Sequence, residues 1–79
     1  MSAIDKYNQV FIDTFQVDVA HLNENFTSDT VANWDSVLQL SLVSALEDEF
    51  DIMLDSEDIL DFKSYSSGKN ILAKYGVSL

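Results

Sequence analysis

Apolar residues recur at three- and four-residue intervals from the start of the chain: Ile4, Tyr7, Phe11 and Phe15, with Val10 and Ile12 beside them. That spacing gathers them on one side of a helix and predicts an amphipathic α-helix over about residues 3–15. Between residues 16 and 34 the period is lost. Asn, Asp, Ser and Thr dominate there around scattered Val17, Val19, Leu22, Phe26 and Val31, so a long connection pinned by a few apolar anchors is expected. The period returns at Asp35 or Ser36 and holds to about Phe50, with Leu38, Leu42, Ala45, Leu46 and Phe50 on one broad face.

Two shorter patterns follow. Ser56, Glu57 and Asp58 suit the start of a short helix whose acidic first turn complements the helix dipole, with Ile59, Leu60 and Phe62 supplying contacts. Ser64 is placed to cap a last helix carrying Tyr65, Ile71, Leu72 and Tyr75, which Gly76 is placed to end; Gly68 inside it is unfavourable. β-alternation, internal repeats, heptads and proline are all absent from the sequence. The expected fold is all-α: a small four-helix bundle of three main helices and one short third helix, with a long first loop.

Composition narrows the function classes. A length of 79 residues allows a single domain, and 47% hydrophobic content is enough for a folded core. Fourteen carboxylates against four lysines give a net charge of -10, a field that repels nucleic acid and anionic lipid and attracts basic protein surfaces. Cysteine is absent, which excludes disulfides and a thiolate nucleophile, so any thiol chemistry has to come from a cofactor. The first residues lack a basic and then apolar leader, and no segment approaches the apolar length of a membrane span. A cytoplasmic monomer without nucleic-acid binding or membrane insertion is expected.

Most candidate chemistry reads as ordinary. The acidic series Asp48, Asp51, Asp55, Glu57, Asp58 and Asp61 lacks the spacing and glycine of a calcium loop and is expected to be a solvated face. His21 has no partner residues for a zinc site or a triad and is taken as a loop residue. Trp34, at a loop-to-helix junction, is expected to anchor the loop on the core.

The side of the second helix that carries Ser36 also carries Leu40, Ser44 and Glu47, flanked by Val37, Ser41 and Asp48. Val37 and Leu40 are two apolar residues on an otherwise polar face. They suit a docking surface of apolar anchors inside a charged rim, and equally suit packing under the long loop. Ser36 also has two readings. It fits a capping box with Gln39 three residues on, the local signal that favours a plain helix cap. Asp35 is an equally good cap, and if it takes that role Ser36 becomes the first helical residue with its hydroxyl free to be modified. A phosphate ester there would meet unpaired backbone N–H groups and the positive end of the helix dipole.

At these residues the sequence resembles the acyl carrier protein family. Asp35-Ser36-Val37 is similar to the family's Asp-Ser-Leu motif, and Leu46-Glu47-Asp48-Glu49-Phe50 resembles the acidic end of its second helix. The resemblance covers nearly the whole chain and implies one acyl-carrier domain, 1–79, that is not an enzyme. It implies that a phosphopantetheinyl transferase moves 4'-phosphopantetheine from coenzyme A onto Ser36, with Asp35 as motif residue and helix cap. It further implies that the arm's thiol carries acyl groups as thioesters, and that short acyl chains shelter within the bundle. Enzymes that load and transfer these groups would dock basic surfaces on Val37, Leu40, Glu47 and Asp48. Val37 in place of Leu, Asn33 where Gly is common, and Ser41 and Ser44 depart from the family's pattern. Ser41 and Gln39 leave the start of the helix less acidic than in many fatty-acid carriers, which sets a specialised lipid pathway beside fatty-acid and polyketide synthesis as the expected setting. An aminoacyl or peptidyl carrier is the near alternative. An unmodified acidic adaptor, with Ser36 a mere cap, is the alternative from another class.

Overall fold

The computed structural model describes residues 2–79. Among them are four α-helices: α1 (Ala3–Phe15), α2 (Ser36–Phe50), α3 (Ser56–Asp61) and α4 (Tyr65–Ala73). The fold is the small all-α bundle that the periodicity predicts, with α3 as its short member.

Local signals explain where each helix begins and ends. Ser2 caps α1 by accepting the Asp5 N–H, and Gln16 closes it in the left-handed conformation, its N–H returning to the Ile12 carbonyl. Asp51 ends α2 in the same way on the Glu47 carbonyl. Ser64 and Ser67 form a reciprocal capping box at the start of α4. That helix stops at Ala73, and the chain turns through Gly76, whose φ of 84 suits glycine. Tyr75 therefore lies beyond the helix that the sequence pattern assigns to it.

Phe11 is fully buried at the centre of the core, in ring contact with Tyr7, Phe15, Phe26, Trp34, Phe62 and Tyr65. α2 adds Leu42, Val43 and Leu46. Burial pushes the Tyr7 hydroxyl well above its ordinary value, and the hydroxyl donates to the Tyr65 carbonyl at 2.6 Å. The Tyr65 hydroxyl in turn donates to Asn8.

Gly68 is a packing requirement of α4. A Cβ on it would stand 2.2 Å from the Tyr7 hydroxyl and 2.3 Å from Cζ of Phe62. The residue that is unfavourable for helix propensity is the one that lets α4 close on these rings.

The connection over residues 16–34 includes a single 3₁₀ turn, Val19–His21. Phe26 and Trp34 are buried, and Val17, Leu22 and Val31 pack at the edge of the core. Val19, expected as an anchor, is exposed on the turn instead. Backbone bonds from Ser28 to the Lys63 carbonyl and from Tyr65 to the Phe26 carbonyl fasten the loop to the α3–α4 junction.

Candidate functional site

The first turn of α2 decides between the two readings of Ser36. Oδ1 of Asp35 accepts the Leu38 N–H at 2.9 Å, so Asp35 is the cap and Ser36 is the first helical residue. The side chain of Gln39 does not return to the helix start, so the Ser36 capping box does not form; Gln39 is committed elsewhere. Ser36 is exposed, with its hydroxyl outside the capping bond. As the first two residues of the helix, Ser36 and Val37 have N–H groups without an intrahelical acceptor. An ester phosphate on Oγ of Ser36 would sit at the positive end of the α2 dipole.

Ser36 stands on the rim of a cleft of about 330 Å³. Trp34, Ser36 and Gln39 line one wall, while Ile59, Leu60 and Phe62 line the other, with Lys63 at their end. Lys63 gives this edge of an otherwise acidic molecule a cation. The lining combines apolar Trp34, Ile59, Leu60 and Phe62 with polar Ser28, Asp35, Ser36, Gln39 and Lys63, a mixture suited to a small ligand of mixed polarity.

Val37 and Leu40 are 71% and 64% exposed, which removes the reading in which they pack under the loop. Leu60 on α3 is 72% exposed and belongs to the cleft wall, and Met53 in the preceding turn is also exposed. Asp48 is exposed at the far end of α2. Glu47 is half-buried, and its Oε2 accepts the Leu54 N–H at 2.9 Å, so this carboxylate shapes the turn between α2 and α3. Of the four docking residues read from the sequence, Val37, Leu40 and Asp48 are open to solvent, while Glu47 is half-buried and spends an oxygen inside the molecule.

One other side chain at the site, Gln39, was not legible as a participant. Gln39 accepts the Trp34 indole N–H through Oε1 and donates through Nε2 to the Ile59 and Phe62 carbonyls at 2.9 and 3.0 Å. It thereby joins α2, the end of α3 and the end of the loop. Trp34 is buried as the anchor expected of it.

The acidic series departs from a uniform solvated face at Asp58, which is buried. Asp58 pairs with Lys74 and accepts the Tyr75 hydroxyl at 2.5 Å; that hydroxyl also accepts the Asp55 N–H at 3.0 Å. Hydrogen bonds from Lys74 and Tyr75 hold the Asp58 carboxyl below its ordinary value. The same bonds raise Lys74 and Tyr75. Among the described residues no three of the acidic and histidine side chains converge as a metal-binding group. His21 is exposed on the 3₁₀ turn. No helix among the described residues is long and apolar enough to cross a membrane.

No family model matches the chain, and no curated protein matches it.

Proposed function

We propose that this protein is an acyl carrier protein whose Ser36 bears a 4'-phosphopantetheine arm. The observation that carries the reading is the division of labour in one helical turn. Asp35 takes the cap, leaving Ser36 exposed at the head of α2, on the rim of a cleft and beside exposed Val37 and Leu40.

In the loading step a phosphopantetheinyl transferase brings coenzyme A to Ser36. Oγ of Ser36 attacks the phosphorus that bears the pantetheine, a new P–O bond forms, and the pyrophosphate P–O bond breaks. The hydroxyl proton passes to a base of the transferase, and adenosine 3',5'-bisphosphate leaves. The thiol at the arm's end then carries an acyl group as a thioester, so the absence of cysteine is no obstacle. The chain itself catalyses nothing in this scheme. Acyl-loading and acyl-transferring enzymes with basic surfaces would meet the exposed apolar residues of α2 inside an acidic rim that includes Asp48.

Incubation with coenzyme A, magnesium and a broad-specificity transferase, followed by intact mass measurement of the wild type and Ser36→Ala, tests this. The expected result is the mass of one phosphopantetheine group on the wild type and none on the variant. An unchanged wild-type mass supports the unmodified adaptor instead.

A further inference from the structure

Beside Ser36, the cleft is bridged by one polar side chain, and its bonds reach three segments of the chain. The first turn of α2 places Gln39 three residues after Ser36, on the cleft wall. From there its carboxamide uses both ends. Oε1 receives the Trp34 indole N–H, and Nε2 donates to the carbonyls of Ile59 and Phe62. α3 has only six residues, and the last carbonyls of so short a helix need partners from outside it. Gln39 donates to the Ile59 carbonyl, which also takes the Phe62 N–H at 3.3 Å, and to the carbonyl of the C-cap residue Phe62, acting as a C-terminal cap donated by another helix.

We propose that Gln39 is the positioning residue of this site: its carboxamide clasps the end of α3 and the Trp34 indole to the first turn of α2, setting the cleft's width and the frame in which Ser36 is presented. The role in presentation rests on the carrier reading above, whereas the clasp does not. The bonds cross the cleft from α2 to the end of α3, so losing the Nε2 donors takes the side-chain partner from the Phe62 carbonyl, leaves the Ile59 carbonyl only the Phe62 N–H at 3.3 Å, and releases α3 outward. Val37 and Leu40 stay on α2 while Leu60 moves with α3, so a partner enzyme that reads both helices meets a displaced surface.

Two near-isosteric variants separate the halves of the clasp. Gln39→Glu keeps an acceptor for the indole but has no N–H for the carbonyls; Trp34→Phe keeps an aromatic anchor and loses only the indole bond. Hydrogen exchange is followed on both variants and the wild type, together with transferase kinetics. For Gln39→Glu the amides of Ile59, Leu60, Asp61 and Phe62 should exchange ~10-fold faster, the ratio set by about one net hydrogen bond, with α1 unchanged. Trp34→Phe should leave those four amides near wild type. KM for the protein should rise several-fold in Gln39→Glu with kcat held. Unchanged α3 exchange in Gln39→Glu overturns the clasp. Faster exchange with unaltered KM overturns the positioning role and leaves Gln39 as a purely structural bond. A wild type that accepts no arm sinks the carrier reading and the positioning role together, while the exchange comparison still decides the clasp.

Discussion

Phe11 and Leu40 lie in helices of 13 and 15 residues and meet opposite environments. Around Phe11, rings from α1, the long loop, Phe62 at the α3–α4 junction and α4 close on one another, and Gly68 lets the last helix come near enough to complete the contact. Around Ser36 and Leu40, apolar side chains stand in solvent, and α3 is held to α2 by polar bonds through Gln39, with Glu47 bracing the turn between them. Apolar packing is non-directional and cumulative, so the first region is suited to holding the fold together. Hydrogen bonds across a wet cleft are each worth little net, so the second region keeps its shape at small free-energy cost and remains available to a partner.

The largest separation between the regions should come from Phe11→Ala. Removing a fully buried ring is expected to lower unfolding free energy by about 3–5 kcal/mol, a large share of the stability of a domain this small. Urea unfolding measures it, and a loss under about 1 kcal/mol would mean that the aromatic cluster is not the stabilising unit. Asp35→Ala should come next, costing about 1 kcal/mol through the lost cap and lowering Tm by roughly 4–8 °C. An unchanged Tm would mean that Ser36 or water replaces the bond to the Leu38 N–H, against the division of labour between the two residues.

Acid should then expose the clamp at Asp58. Its carboxyl titrates lower in the folded than in the unfolded chain, because Lys74 and Tyr75 bond the ionised form. Its contribution is therefore fully present above the unfolded-state pKa and lost as pH falls through the depressed folded value. Denaturant midpoints of the wild type and Asp58→Asn should differ at about pH 5 and converge as the pH falls below the unfolded-state carboxylate range and through the depressed folded value. Curves that stay parallel throughout would contradict the ionised pairing. The smallest stability effect belongs to Val37→Ser combined with Leu40→Ser, expected within about 0.5 kcal/mol of the wild type because both side chains are exposed. The same pair should raise the transferase KM. A large loss of stability instead would show that these residues belong to the core.

What the sequence made legible follows the range of the interactions. The bounds of α1 and the end of α2 are local: an apolar period meets a cap, and both lie within a few adjacent residues. Asp35 and Ser36 could be read as alternative caps for the same reason, but only the bond from the Leu38 N–H to Asp35 distinguishes them. Gln39 was opaque because its backbone partners lie 20 and 23 residues away, and a polar residue in a helix gives no sign of such bonds. Asp58 sits in a run of acids that reads as solvated, and its burial depends on Lys74, 16 residues on. Val43 escaped notice because α2 carries apolar residues on nearly every side, so periodicity alone could not choose which of them face inward.

The most direct test of the central claim is to locate the added group by fragmentation mass spectrometry after transferase treatment. Serines 36, 41 and 44 all lie on α2, and Ser28 lines the same cleft, so total mass alone does not distinguish them. A single phosphopantetheine group is expected on Ser36 and none on Ser28, Ser41 or Ser44. A group found on another serine, or no addition at all, would contradict that claim.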